Sequence, residues 1–343
     1  MKKEKKYGVL LLNLGTPDSP TTKDVRKYLS EFLNDPRVID ISPLARWFLV
    51  NFIIVPFRAP KSAKEYKKLF KLGGGRSPLL AYSKSLKDKV NNLTGNEFDI
   101  ELAMRYGNPS MDDVLDRMQT KNYDEIIIFP LYPQYASASS GSSIEKALNI
   151  INKWLVVPEI KVMGQFYDDV RYLNCIKNRA EAFNMKNYDH VLFSYHGLPE
   201  RHVSKVHIDG KPCADHHCKE EINESNKFCY KATCYATTRH LVKMLGLKEG
   251  EYSTSFQSRL GNDPWIKPFT EQVVENIAKN ACKRLLVFSP AFIADCLETT
   301  IEISEEYLNI FRQNGGEVLD LVPSLNEGDD WAECIVDMVN DYV

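Results

Sequence analysis

The chain has 343 residues, a formal net charge of -2 and 26% charged residues. That length predicts about two domains, each able to bury a core without staples. The near-neutral charge, with no basic stripe, excludes a nucleic-acid partner. No run reaches the ~18 apolar residues needed to cross a bilayer, and the apolar run after the basic start MKKEKKYGVLLLNLG is too short for a signal peptide. The chain therefore reads as cytoplasmic, where structural disulfides are rare.

In chain order, YGVLLLN (7–13), DEIIIFPL (124–131), HVLFSY (190–195) and RLLVFS (284–289) are short apolar runs with glycine or proline at or near their ends. Such runs predict strands buried on both faces of a parallel sheet. Residues 98–106 and 159–166 are weaker strand candidates. Helical patterns fall between them at 21–34 and 142–154, the second opening on Ser142-Ser143-Ile144-Glu145, the pattern of a capping box. Alternating strands and helices predict an α/β doubly wound fold. LARWFLVNFIIVPF (44–57) reads first as a buried core helix and second as an exposed lip for an apolar ligand or a membrane surface. GGGRSP (73–78) follows a helical pattern and matches no nucleotide fingerprint. ASASSGSS (136–143) reads as a strand-to-helix turn before it reads as a phosphate cradle.

The two halves echo each other: LLNLGTP (11–17) pairs with FSYHGLP (193–199), and IIIFPLYP (126–133) with LLVFSPAF (285–292). Ligands in such folds bind beyond the carboxyl ends of the strands. That rule points at Asn13, the loop after Pro130, His196 and the loop after Pro290, which are expected to face one cleft. His196 ends an apolar run before a Gly-x-Pro turn, and it reads equally as a structural histidine or as a base or metal ligand; its unperturbed pKa of about 6.5 suits proton abstraction. Glu298, Glu302 and Glu306 in DCLETTIEISEE recur every four residues, so on a helix they climb one face. The usual meaning of such a row is a solvated face, but here it follows a buried strand at its cleft end. A row of oxygen ligands there suits a hard divalent cation. Cys213, Cys218, Cys229 and Cys234 form two C-x4-C pairs within residues 211–234, a density that argues against four idle thiols. Cys175, Cys282, Cys296 and Cys334 are scattered and read as core residues.

NLGTP, FLNDPRVI, AMRYGNPS, PLYPQYASASSGSS, FSYHGLP, SFQSRLGNDPWIKP and PAFIADCLETTIEI resemble, in order, the motifs of the ferrochelatase family, over roughly residues 7 to 340. The resemblance implies a lyase that inserts Fe²⁺ into a porphyrin, protoporphyrin IX or coproporphyrin III, to form haem or coprohaem. It implies two Rossmann-like domains, each a four-stranded parallel sheet flanked by helices, with the active-site cleft between them. The expected division is 1–163 plus about 308–343, against 164–307 with a cysteine-rich insertion at about 205–234. Carried over, the catalytic pair is His196 and Glu298, with Glu302, Glu306 and Asp295 joining them toward the substrate Fe²⁺. The porphyrin contacts are Leu14, Arg58, Tyr66, Ser77, Arg105, Trp265 and Phe292. Residues 44–57 correspond to a hydrophobic lip, which favours the exposed reading and a peripheral contact with the inner face of a membrane.

Some microbial members of that family are similar in carrying a [2Fe–2S] cluster on four cysteines in such an insertion. The resemblance thus implies a cluster on Cys213, Cys218, Cys229 and Cys234. Zn²⁺ is the alternative, and His202, His207, His216 and His217 allow mixed ligation. Two rival functions share the fold: a cobalt or nickel chelatase, and a non-catalytic haem or iron–sulfur sensor, which would not need His196 and the acidic row together.

Overall fold

The computed structural model describes residues 5–259, 261 and 263–343. They divide into two compact units: residues up to Tyr132, Ala136–Gly164 and Asn326–Val343 make the first, and Pro133–Tyr135 with Gln165–Leu325 make the second. The first holds a parallel sheet of β1 (Tyr7–Thr16), β2 (Phe98–Gly107), β3 (Glu125–Pro130) and β4 (Glu159–Val162), in the order β2-β1-β3-β4. The second holds β5 (His190–His196), β6 (Tyr252–Gln257), β7 (Arg284–Phe288) and β8 (Val318–Leu321), also parallel, in the order β6-β5-β7-β8. The two orders are the same permutation, the structural counterpart of the sequence echo between the halves.

Burial explains which strands were legible. Val9 to Leu12 of β1 are fully buried, because helices cover both faces of a parallel sheet. One face of the first sheet sends Leu10, Leu12, Ile126 and Ile128 against helices Met111–Thr120 and Ser142–Ile151. In the second unit, Leu192, Leu285, Val287 and Leu319 meet Val274, Ile303, Tyr307 and Phe311. Two strands were not anticipated. β6 reads YSTSFQ and hides polar side chains by pairing them, Ser255 Oγ lying 2.8 Å from Thr270 Oγ1. β8 has four residues, too few to show a period. Its pairing with β7, Arg284 opposite Val318, keeps the chain in the second unit until Leu325, so the return to the first comes at Asn326 and not near 308.

The capping-box reading of Ser142 is overturned. A π-helical turn, Ser137–Gly141, feeds directly into Ser142–Ile151, so Ser142 lies inside a continuous helix. Its hydroxyl donates instead to the carboxylate of Asp35, and Glu145 pairs with Arg37. Asp35 also accepts from the Arg105 guanidinium at 2.6 Å, from the Tyr106 hydroxyl at 2.8 Å and from the backbone N–H of Arg37 at 2.7 Å. Three quoted motifs, FLNDPRVI, AMRYGNPS and ASASSGSS, therefore meet at one buried carboxylate. Burial acts to raise the pKa of Asp35, but the Ser142, Arg37 and Tyr106 hydrogen bonds and the Arg105 charge outweigh it and hold the carboxyl below its ordinary value.

Residues 44–57 are not a buried core helix. Helix Pro43–Phe48, π-helix Leu49–Ile54 and helix Val55–Leu72 follow one another, and a stripe of Val50, Val55, Ala59 and Ala63 suffices to pack them. Leu44 (78%), Trp47 (53%), Phe48 (55%), Phe52 (55%), Ile53 (48%) and Phe57 (80%) are left exposed, with the Phe48 and Phe52 rings stacked at 5.3 Å. Among the described residues no helix is long and apolar enough to cross a membrane.

Asp35→Ala strands the mostly buried Arg105 guanidinium, and its expected cost is about 3 kcal/mol in urea denaturation. Because the folded pKa is depressed, this contribution is whole well above 3.8 and is lost as the pH falls through that value toward the folded one. The gap between wild type and variant should therefore narrow in acid; a gap that stays constant to pH 3 would contradict the assignment.

Candidate active site and metal-ligand cluster

β5 is buried from Val191 to Tyr195, and His196 emerges half-buried at its carboxyl end. Gly197 follows because nothing larger fits: its N–H donates to the Gln257 carbonyl at 2.8 Å, and a Cβ there would lie 2.8 Å from that oxygen and 3.1 Å from the Trp265 ring. The turn then pairs with the segment before helix Thr270–Lys279: Ile266 N–H donates to Leu198 O and Glu200 N–H to Pro264 O, both at 2.9 Å. This places Trp265 beside His196, ring centroids 6.4 Å apart, while Phe292, from the loop after β7, lies 6.2 Å away. His196 Nδ1 is 2.5 Å from the Gly197 carbonyl. A carbonyl only accepts, so Nδ1 carries the proton and Nε2 the lone pair.

Opposite His196 in the sheet stands Gln257. Its Oε1 accepts from Ser194 at 2.7 Å, and its Nε2 donates to the backbone carbonyl of Glu298 at 3.0 Å and to the Glu302 carboxylate at 3.3 Å. The acidic row lies on a π-helix, Glu298–Tyr307, not an α-helix. A π-turn is wider than the 3.6 residues of an α-turn, so residues four apart still fall close to one face. Ile303 and Tyr307 hold the other side in the core of the second unit. Glu302 is anchored: besides Gln257 it accepts from Ser258 N–H at 2.9 Å, from Ser258 Oγ at 2.6 Å and from the Tyr307 hydroxyl at 2.5 Å. Ser258 takes φ +64° to aim both donors. Burial and the adjacent Glu302 charge push the Tyr307 phenol far up, so it stays a donor. Glu298 is half-buried, Glu306 exposed, and Asp295 accepts from Ser324 N–H at 3.4 Å. Gln257 and Ser258 were missed in the sequence although SFQSRLG was singled out, because their roles depend on strand register, and Tyr307 was missed because its reach to Glu302 depends on the π-helical turn.

The first-unit residues stand at the carboxyl end of β1 and on its helices. Leu14 is half-buried on β1, Arg58 half-buried on Val55–Leu72, and Tyr66 buried edge-on against Tyr28. Ser77 is buried at the N-cap of helix Pro78–Thr94. Arg105 spends its guanidinium on Asp35 and Ser142.

The cysteine-rich segment brings together three of its four cysteines. The sulfurs of Cys213, Cys218 and Cys229 lie 3.5, 3.4 and 3.7 Å apart in pairs. A ring nitrogen of His207 completes a buried set whose four ligand atoms all lie within 4.8 Å of one another, a group that could hold a metal ion. Cys234 is not in it. Cys229 caps helix Tyr230–Leu245, and five residues on an α-helix turn the next cysteine about 140° away. Cys234 is fully buried beside Tyr230, and burial pushes its thiol well up. The scattered Cys175, Cys282, Cys296 and Cys334 are buried and form no disulfide, as expected of core residues.

The family model described as Ferrochelatase matches residues 6–343. A curated ferrochelatase of Coxiella burnetii (strain CbuG_Q212) is 40% identical over 341 residues, 98% of this chain and 94% of the relative. A curated ferrochelatase of Legionella pneumophila (strain Corby) is 40% identical over 336 residues, 98% and 99% respectively. Among solved structures, SirB from Bacillus subtilis with Fe³⁺ is similar at a TM-score of 0.52 and 10% identity, covering 98% of this chain and 95% of that one, a likeness of fold.

The close approach at Gly197 generates a test. Gly197→Ala must push back the Gln257 carbonyl or the Trp265 ring, with an expected loss of about 1–3 kcal/mol in chemical denaturation. Unchanged stability would show that the turn relaxes freely and does not fix His196.

Proposed function

The chain belongs to the ferrochelatase family and inserts ferrous iron into a porphyrin in haem synthesis, and we propose that His196 and Glu298 handle the protons and the metal in that reaction. Metalation must remove two pyrrole N–H protons and seat a divalent ion among four nitrogens. A flat macrocycle hides those lone pairs, so a site that saddles the ring spends binding energy on the approach to the transition state. His196 offers Nε2 as a base because Nδ1 is committed to Gly197. Trp265 and Phe292 give it aromatic neighbours suited to a macrocycle face.

The observation that carries this reading is the Gln257 side chain, which ties the strand end bearing His196 to the first turn of the helix bearing Glu298 and Glu302. Glu298 accepts or relays a proton, or holds iron. Glu302, saturated with donors, braces the row, while Glu306 and Asp295 extend it as oxygen ligands for a hard cation. Leu14, Arg58, Tyr66 and Ser77 serve as further porphyrin contacts on the strength of the family motifs. Arg105 acts through Asp35, as a positioning residue.

His207, Cys213, Cys218 and Cys229 hold a metal that is not the substrate iron. Chelation transfers no electron, so that metal is structural. The exposed apolar side chains of 44–57 give the enzyme, cytoplasmic in this reading, a peripheral contact with a membrane surface.

His196→Ala should lower iron insertion about 10²–10⁴-fold, with porphyrin binding by fluorescence quenching retained. Glu298→Gln should likewise lose turnover far more than porphyrin affinity. Near-wild-type turnover in His196→Ala, with either protoporphyrin IX or coproporphyrin III, would sink the assignment. For the lip, Phe48→Ser combined with Phe52→Ser should reduce co-sedimentation with phospholipid vesicles severalfold while leaving turnover of detergent-dispersed porphyrin unchanged; undiminished sedimentation would remove the membrane reading.

A further inference from the structure

We propose that the cysteine-rich segment holds a single tetrahedral ion, zinc, on Cys213, Cys218, Cys229 and His207, and that Cys234 is not a ligand. This rests on the reading that these residues hold a metal, and it commits to which kind. It replaces the four-cysteine [2Fe–2S] cluster that the family resemblance implied.

Geometry decides between the two. Zinc–sulfur bonds of about 2.3 Å in a tetrahedron place ligand sulfurs about 3.8 Å apart. The three sulfurs are 3.4, 3.5 and 3.7 Å apart, each pair near a tetrahedral edge. A [2Fe–2S] cluster divides its four ligands between two irons, so the two pairs stand apart by the width of the iron–sulfide rhomb. Three thiols mutually in contact around one point do not fit that division.

His207 is prepared as the fourth ligand. It is 3% exposed, and its Nδ1 donates to the Ser225 carbonyl at 2.9 Å. That hydrogen bond fixes the tautomer and puts the lone pair on Nε2, the usual support of a metal-bound histidine. Among the described residues Nε2 is buried with no hydrogen-bond partner. The His216 ring stacks on His207 with centroids 3.9 Å apart, and His216 Nε2 lies 3.2 Å from the Asp209 carboxylate, which holds the pair in place. Asn226, almost fully buried, donates to the carbonyls of His216 and Glu221, both at 3.0 Å, and so folds the loop around the ligands. Three thiolates and one imidazole make a standard structural zinc set, and such ligation couples directly to local folding.

The test uses the full chain, purified with and without air. Zinc, iron and acid-labile sulfide are measured per chain, and Co²⁺ is then exchanged in to report ligand type and geometry. The expected protein is colourless with about one zinc, and its cobalt form shows thiolate charge-transfer and tetrahedral bands. Cys234→Ser should keep the full metal content, while Cys213→Ser should lose it. His207→Ala should weaken zinc by more than about 100-fold in chelator competition, beyond the loss typical of an outer partner. Because that variant can unfold locally, His207→Cys serves as the control and should restore one zinc. Two irons with two sulfides per chain, or loss of the metal in Cys234→Ser, would overturn the single-ion site while leaving a metal in the segment. No bound metal in either preparation would overturn the metal reading itself.

Discussion

The candidate site depends on one pairing in the second sheet: His196 at the end of β5 opposite Gln257 at the end of β6. Register in the ladder is set by which side chains must be buried, and a one-residue slip would turn Gln257 to the other face. With the register as it is, one amide group meets Ser194 on one side and Glu298 and Glu302 on the other. A neutral side chain with two donors and an acceptor suits this place, because it satisfies three partners without adding a charge that would compete for the carboxylate. Gly197 and Trp265 then set the direction in which the histidine leaves the sheet.

The first unit solves a related problem with a charge. The carboxyl end of β2, the segment after helix Thr22–Leu33 and the start of helix Ser142–Ile151 all bring polar groups into a buried region. Asp35 gathers them, accepting from an arginine, a tyrosine, a serine and a backbone amide. A buried carboxylate is costly alone and stable when every lone pair is used. Both units thus place a saturated acceptor at the strand ends, Asp35 in one and Glu302 in the other, and each freezes the backbone that carries neighbouring polar groups.

How much of this was legible follows from what each signal measures. β1, β3, β5 and β7 were visible because burial on both faces demands unbroken apolar runs, whereas β6 conceals its polarity by internal pairing and β8 is too brief. His196 and the glutamate row were visible as residue types at strand ends. Gln257 and Ser258 were not, since a hydrogen-bond partner brought in by sheet register leaves no local pattern, and Tyr307 was not, since its bond to Glu302 five residues away arises on the wider π-helix. The cysteines show the same limit. The family resemblance implied four equivalent cysteine ligands, but spacing counts residues and not rotation about a helix: Cys234 lies outside the group of close ligand atoms, and His207, one of several nearby histidines, lies within it. The segment 44–57 was apolar enough to suggest burial, and only packing reveals that a narrow stripe of small residues suffices to seat it.

The π-helix Glu298–Tyr307 constrains how this chain can change. Its first residue, Glu298, begins the acidic row, while Ile303 and Tyr307 near its far end are wedged in the core. Removing a single residue between them would let the backbone relax to ordinary α geometry, which is locally favourable. It would also turn Glu298 and Tyr307 relative to each other, because nine π-helical steps and eight α-helical steps do not close on the same angle. Glu298 could then keep its bearing only if the core came apart, or the core could stay whole only if Glu298 swung off the row. Substitutions are open to this stretch, but length is not: the helix works as a gear whose tooth count is fixed by what it engages at each end.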